Sequence, residues 1–363
     1  ELDRRGWDHV QLGCGDALQV STLTNSVFDS VVVNSVVQYF PNLEYLDEMI
    51  EQLLSCVEAG GKILIGDVRN YDLFTAHVAA IERSHLVHQN VSASTLAKRI
   101  QRRLQQEEEL LVSPSYFIQL PRRHSEIERV DVIVKRGMGD NEMLRYRYEV
   151  ILHKKEAVSA DVNQAELSWY GFTNFEDLRA WLSEKTESTW GVSGIVNGRV
   201  CDDVAFVESL RHCSDKQLVM HQEEAAGCLS SESMSQLEAL ESVLKYAEDC
   251  GYACAVTWSQ DKLDAVDVIF GRGGLPAVMA RSEYKQLRQS NYPQMAAIGE
   301  TLSQELTSYL KDCLPDYMLP NLYIPLEYFP LTQNNKVNKR ILPLPEEGDL
   351  RRESYVAPRN EIE

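Results

Sequence analysis

Between Phe28 and Val68 the chain switches from one apolar pattern to another and back, and that switch limits the fold more than any other stretch. Phe28-Asp29-Ser30-Val31-Val32-Val33-Asn34 is a β-branched run that is apolar on both faces. Such a run suits a parallel strand covered on two sides, so it predicts a central strand. From Leu43 to Val57 the apolar residues Leu43, Leu46, Ile50, Leu53, Leu54 and Val57 recur every three or four positions. That spacing puts them on one helical face, and Gly60-Gly61 is expected to end the helix. Lys62 to Val68 then supplies another strand. Strand, helix and strand form one crossover unit, so the expected class is a doubly wound α/β domain. His9-Val10-Gln11-Leu12 offers a further short strand running into Gly13-Cys14-Gly15-Asp16-Ala17.

After this unit the rhythm changes. Residues 93 to 112 read as a charged helix, with Arg99, Arg102 and Arg103 followed by Glu107, Glu108 and Glu109, a surface or lid element. Val130 to Val134 and Tyr146 to Leu152 alternate around a Gly-rich turn region and predict an antiparallel pair at a sheet edge. Thr173-x-x-Glu176 and Ser233-x-x-Gln236 fit capping boxes. Leu237, Leu240, Leu244 and Ala247 line one face of the second of these helices before Gly251, and strands are expected over Ala253 to Trp258 and Ala265 to Phe270. The stretch from about Leu167 to Phe270 therefore reads as a small α/β appendage. A helix through Ile298, Leu302, Leu306 and Leu310 follows, and beyond Pro345 the polar, Pro-punctuated chain reads as a linker.

Composition narrows the function. The 363 residues allow two or three domains at roughly 150 each. A net charge of −19 repels nucleic-acid phosphates and anionic lipid heads, so neither nucleic acid nor membrane is expected as a partner. No apolar run approaches the ~18 residues of a membrane span, and no export signal opens the chain; a cytoplasmic location is expected. The eight Cys are scattered, with only Cys250 and Cys254 close together, so neither a zinc set nor a disulfide framework is expected. Because the chain opens on Glu1 and closes on Asn360-Glu361-Ile362-Glu363, it reads as an excerpt of a longer polypeptide.

Candidate chemistry gathers where open α/β sheets collect ligands, at strand carboxyl ends. Leu12-Gly13-Cys14-Gly15 lacks the third glycine and following helix of a dinucleotide turn. Asp16 is either a turn former or an acceptor for an exocyclic amine. Asn34-Ser35-Val36-Val37-Gln38-Tyr39-Phe40-Pro41 packs two amides and two aromatic rings into eight positions. These groups suit the orientation of an amine opposite a sulfonium cation, or else plain packing on the core. Asp67 and Arg69 close the next strand, where they either orient a substrate or pair with each other.

In this order Gly15-Asp16-Ala17, FDSVVVNSVVQYFPNLEYL from Phe28, GGKILIGDVRN from Gly60, EEELLVSPSYF from Glu107 and NEMLRYRYEVILHKK from Asn141 resemble the N-methyltransferase domain of fungal nonribosomal peptide synthetases of the cyclosporin, enniatin and beauvericin type. Leu314 to Pro320 resembles an adenylation-domain motif, Pro330 to Lys339 resembles the lysine loop that ends such domains, and Tyr355 to Glu361 resembles the approach to a carrier domain. Asn335 and Asn338 depart from the usual glycine and aspartate of that loop.

The resemblance implies part of a class I, Rossmann-like methyltransferase sheet over 1–156 and an accessory α/β region over 157–275. It implies the end of an adenylation C-terminal subdomain over 276–346 and a linker over 347–363. The glycine-rich cofactor loop would then lie upstream of Glu1. The implied cofactors are S-adenosylmethionine, ATP with Mg, and phosphopantetheine on an adjacent carrier domain outside this chain. The implied partners are an amino-acid substrate and neighbouring carrier and condensation domains of the same polypeptide. Asp16, Ala17, Asn34 and Ser35 would hold the cofactor, and Asn34 and Tyr39 would serve methyl transfer. Gln38, Asp67, Arg69 and Tyr146 would orient the substrate, and Lys336 would serve adenylation. The excerpt alone is expected to catalyse neither reaction. A stand-alone small-molecule methyltransferase with an appendage, or a non-catalytic docking fragment, are the alternatives.

Overall fold

The computed structural model describes residues 9–24, 26–86, 91–156, 168–172, 175–184, 189–213, 218–219, 229–274, 288–293, 295–320, 322–324, 326, 329, 336–339 and 342. By its contacts the chain divides into two units. The first comprises 1–77, 109–205 and 228–291, and the second 78–108, 206–227 and 292–363.

In the first unit the predicted strand, helix and strand all form. Strand β1 is Phe28–Asn34, helix α1 is Leu43–Cys56 and strand β2 is Val57–Arg69. Asn42 starts α1 by accepting the Tyr45 amide proton at 2.9 Å. Leu46, Met49, Ile50, Leu53 and Leu54 on its inner face are all buried, each contributing about 1.5–3 kcal/mol by leaving water. β1 and β2 pair in parallel from Ser30 opposite Lys62 to Asn34 opposite Gly66. The expected antiparallel pair also forms, as β3, Ile127–Val134, and β4, Arg147–Lys154, joined through the short helix α2, Glu142–Tyr146.

The sheet order is β1-β2-β4-β3, with β4 antiparallel to both β2 and β3. Three strands therefore run one way with a reversed strand between two of them. The carboxyl ends of β1, β2 and β3 and the start of β4 share one edge of the sheet.

Three expectations need correction here. Among the described residues β1 is at one edge of its sheet and not central, and Val32 is 65% exposed. The short strand expected over His9–Leu12 does not form: those residues are irregular, pair with no strand among the described residues, and Leu12 is 81% exposed. Gly60-Gly61 does not stop the helix. α1 ends at Cys56 and the chain enters β2 directly. Gly60 takes φ 81°, and a Cβ on Gly61 would meet the Asp29 carbonyl oxygen at 2.7 Å, so the pair admits the irregular register between β1 and β2. The expected antiparallel pair does occupy one edge of the sheet, with β3 outermost and β4 between β2 and β3.

The appendage is a second four-stranded sheet of order β5-β6-β8-β7. Its strands are β5, Ser168–Tyr170, β6, Thr189–Val196, β7, Tyr252–Trp258, and β8, Ala265–Arg272. Its helices are α3, Phe175–Glu184, α4, Cys201–His212, and α5, Ser231–Asp249. Trp190 is its centre, fully buried, stacked on Phe270 at 4.2 Å and edge-on to Trp181 at 4.4 Å. Leu237, Leu240, Leu244 and Ala247 are buried along α5 as their spacing predicts, and Gly251 beyond its end has φ 84°. The cap of α5 is Ser230, whose hydroxyl accepts the Ser233 amide at 3.1 Å. Ser233 sits a turn inside, its hydroxyl 3.1 Å from the Cys201 sulfur. Thr173 lies outside the described residues.

In the second unit the charged helix runs over Ala93–Gln105 and stops short of the acidic run, so residues 106–112 are not helical. Glu82 pairs with Arg103 at 3.1 Å, and Val91–Ser92 pairs antiparallel with Leu218–Val219. The later helix is Met295–Cys313. The linker over 347–363 lies outside the described residues. Among the described residues, no helix is long and apolar enough to cross a membrane.

Candidate functional site

The site is assembled at the shared edge where β1, β2 and β3 end. Ser35 and Asp67, each at the carboxyl end of one of two adjacent parallel strands, have φ 56° and 60°. They are the only described non-glycine residues with positive φ, a conformation that costs on the order of 1–3 kcal/mol each and tends to persist at functional sites. Together they form a network. The Ser35 amide donates to the Gly66 carbonyl at 3.2 Å and its hydroxyl to the Asp67 carboxylate at 2.5 Å. Lys135, just past β3, pairs with Asp67 at 2.6 Å and with Glu149 of β4 at 3.0 Å.

Burial works against the Asp67 charge, but hydrogen bonds from Lys135 and Ser35 outweigh it and hold the carboxyl below its ordinary range. Asp67 is therefore a fixed anion at neutral pH. Asn34 lies over Gly66, where any Cβ would collide with its amide, and it donates to the Ser35 hydroxyl at 3.3 Å. Gln38 is buried, with its amide nitrogen on the Ser35 carbonyl at 3.0 Å and its carbonyl oxygen Oε1 without a partner among the described residues. Next to it, Tyr39 is 72% exposed.

Asp67 and Arg69 do not pair with each other. Arg69 is buried and bonds Glu109 at 2.8 Å. At the start of β4, Arg147 pairs with Glu142 at 2.8 Å. Burial opposes the Glu142 charge, but Arg147, helped by His77 and Arg69, keeps it below the usual carboxylate range. Tyr146 is buried, its ring stacked on His77 at 4.3 Å, and its hydroxyl donates to Asp203 at 2.5 Å. Burial, then the Asp203 charge, pushes the Tyr146 phenol well above its ordinary value.

Asp16 caps the short 3-10 helix Ala17–Gln19 by accepting the Leu18 amide proton at 3.0 Å, and it also accepts the Tyr45 hydroxyl of α1. The Tyr45 bond, then the Leu18 amide, lowers its pKa. Lys336 lies in the second unit and is exposed; residues 330–335 of its loop lie outside the described residues.

Sequence pattern alone does not single out Lys135, Glu149, Glu142, His77 or Asp203. Lys135 does carry a signal, since it directly follows a strand that ends at the same edge. Asp203 carries no local signal, because its partners are distant in the chain.

As residue types, an exposed ring, an anionic carboxylate and an oriented amide fit a ligand bearing both an exocyclic amine and a sulfonium cation. The relatives agree with the motif resemblance. The chain is 32% identical over 347 residues, 95% of its length, to the probable non-canonical nonribosomal peptide synthetase CymA of Salinispora arenicola. It is 32% identical over 356 residues, 92% of its length, to chondramide synthase cmdD of Chondromyces crocatus. It is 26% identical over 357 residues, 92% of its length, to the bassianolide nonribosomal cyclodepsipeptide synthetase of Beauveria bassiana. It spans 4%, 9% and 11% of those three proteins.

Along nearly its whole length the chain is thus similar to segments of nonribosomal peptide synthetases. No family model matches it. Among solved structures, the N-methyltransferase NodS of Bradyrhizobium japonicum with bound S-adenosyl-L-homocysteine matches 43% of this chain and 60% of its own, at 17% identity and a TM-score of 0.27. At that score the α/β assignment rests instead on the sheet order above.

Proposed function

We propose that this chain is the segment of a nonribosomal peptide synthetase in which an amino acid activated with ATP is N-methylated as its carrier-bound thioester, toward an N-methylated cyclic peptide or depsipeptide. In this reading residues 1–156 are the later part of a class I methyltransferase sheet and 157–275 its accessory region. Residues 276–346 end the adenylation domain, and 347–363 lead to the carrier. The observation that carries the reading is the strained Ser35–Asp67–Lys135 network at the parallel strand ends, beside Asn34, in a chain similar throughout to such synthetases.

S-adenosylmethionine, when bound, supplies an electrophilic methyl group on a good leaving group. The protein's task is then alignment and exclusion of water, which can contribute about 7–11 kcal/mol. Asn34, seated on Gly66, would orient the amine. Tyr39 would present its ring to the cation, and Asp16 and Ala17 would hold the nucleoside end with Ser35. Asp67 and Glu149 share the one ammonium of Lys135, so the role of this fixed network is electrostatic: it is formally anionic at the mouth and would favour a cationic donor. Arg69 and Gln38 would shape the wall against the thioester. Lys336 would stand between the amino-acid carboxylate and the α-phosphate of ATP and stabilise the charge that develops there.

The test is the intact module supplied with amino acid, ATP and methyl-labelled S-adenosylmethionine. Label on the amine of the carrier-bound aminoacyl group is the expected result. A module that loads its carrier but leaves the amine unlabelled, with the donor in excess, contradicts the proposal.

A further inference from the structure

The appendage grips the first sheet at the loop that follows β3. Arg136 pairs with Glu248 at 2.5 Å and with Glu241 at 3.3 Å, both on α5. The Gly137 amide donates to Glu241 at 3.1 Å, and its carbonyl accepts from the buried Arg199 guanidinium. The deepest hold is on α2. Arg145, itself buried, donates to Asp203 at 3.2 Å and also pairs with Asp140, while Tyr146 donates to the same Asp203 oxygen.

Asp203 is 1% exposed and sits in the first turn of α4, where the helix end favours an anion. A carboxylate so deeply buried is tolerable only with its donors in place, so it holds both of them firmly. Burial disfavours the Arg145 charge, but Asp140 and Asp203 raise its pKa beyond the ordinary, so the pair stays ionic.

Tyr146 transmits that hold to the site. Its carbonyl accepts the Asn70 amide at 2.8 Å just past β2, its ring stacks on His77, and the next residue, Arg147, stands opposite Arg69.

We propose that Asp203 is a positioning residue for methyl transfer. From the appendage it fixes Tyr146 and Arg145, and through them the end of β2 and the start of β4, so the appendage is a working wall of the site and not a passive insertion. This rests on the proposed N-methylation. A displacement of about 1 Å at a reacting centre can cost on the order of 100-fold in rate, and loosening this corner is expected to act that way without removing the donor site.

The experiment compares Asp203→Asn and Tyr146→Phe with wild type in the intact module. It measures single-turnover methylation, the KM for S-adenosylmethionine, adenylate formation and thermal unfolding. Each variant is expected to lose methylation rate about 10- to 100-fold, with KM and adenylate formation within about threefold of wild type. The double variant is expected to be no worse than the worse single one, because the bond that Tyr146→Phe removes is one of the two that Asp203→Asn disturbs.

Tyr146→Phe keeps the ring and leaves the Arg145 bond to Asp203, so it carries the test if Asp203→Asn does not fold. Wild-type methylation rates in Tyr146→Phe overturn the proposal, as does a loss that falls equally on adenylate formation and thermal stability. A wild-type module that never methylates overturns the proposed function itself, which is a separate result.

Discussion

The first unit holds two sheets of equal strand number that use polar groups in opposite ways. In the β1-β2-β4-β3 sheet, non-glycine residues are held left-handed at the strand ends and tied to a chain of charges, Ser35, Asp67, Lys135 and Glu149. In the β5-β6-β8-β7 sheet the positive φ values nearby fall on glycines, Gly194, Gly251, Gly273 and Gly274. Its buried Asp267 serves the backbone, accepting the Gly194 amide at 2.8 Å where the β6 and β8 registers slip. Its centre is the aromatic cluster around Trp190. The first sheet stores strain and charge where a ligand would arrive, and the second is built for packing. Substitutions in the two are therefore expected to fail differently.

The largest effect is expected in the packing sheet. Trp190→Ala should destabilise it by about 3–5 kcal/mol, read as lost hydrogen-exchange protection over 189–196 and 252–272; a change below about 1 kcal/mol would mean the cluster is not its core. Asn34→Ala in the first sheet should leave that protection intact. In the intact module it should abolish N-methylation while sparing amino-acid activation, and unchanged methylated product would remove Asn34 from the site. Lys336→Ala should show the reverse split, with aminoacyl-adenylate formation lost and S-adenosylmethionine binding kept. Pyrophosphate release at the wild-type rate would contradict that role.

Acid should separate the sheets more gently. The Asp67 pKa is depressed in the folded state, so its stabilising contribution is complete above the unfolded value near ~3.9 and is lost as pH falls through the folded value. Asp67→Asn should flatten that part of the acid unfolding curve. A variant curve as steep as wild type would place the acid sensitivity elsewhere. The smallest effect concerns thiols. Burial pushes Cys254 of β7 up to about 12, so it should alkylate far more slowly at pH 8 than exposed Cys14. Equal rates would mean β7 opens readily.

Much of this architecture was legible where one physical signal dominates. The helical spacing from Leu43 and from Leu237 gave α1 and the inner face of α5, and the alternation from Val130 and Tyr146 gave β3 and β4. Pattern alone does not show what lies beside β1: a β-branched run reads the same whether or not a neighbour covers it, and among the described residues Val32 is exposed. Ser233 and Ser230 both offer a hydroxyl three residues before a donor, and only the packed helix distinguishes the cap. At the site, Asn34, Ser35, Asp67 and Arg69 were visible as polar residues at strand ends. Their partners were not, since the bond from Lys135 to Asp67 and that from Asp203 to Tyr146 depend on which strands and helices meet.

The central claim is that the donor binds at the carboxyl ends of β1 and β2. Hydrogen exchange of the intact module with and without S-adenosylmethionine tests it most directly. The account predicts new protection concentrated over residues 34–40 and 66–71, with 252–272 unchanged. Tight binding that leaves both strand-end segments unprotected would contradict it.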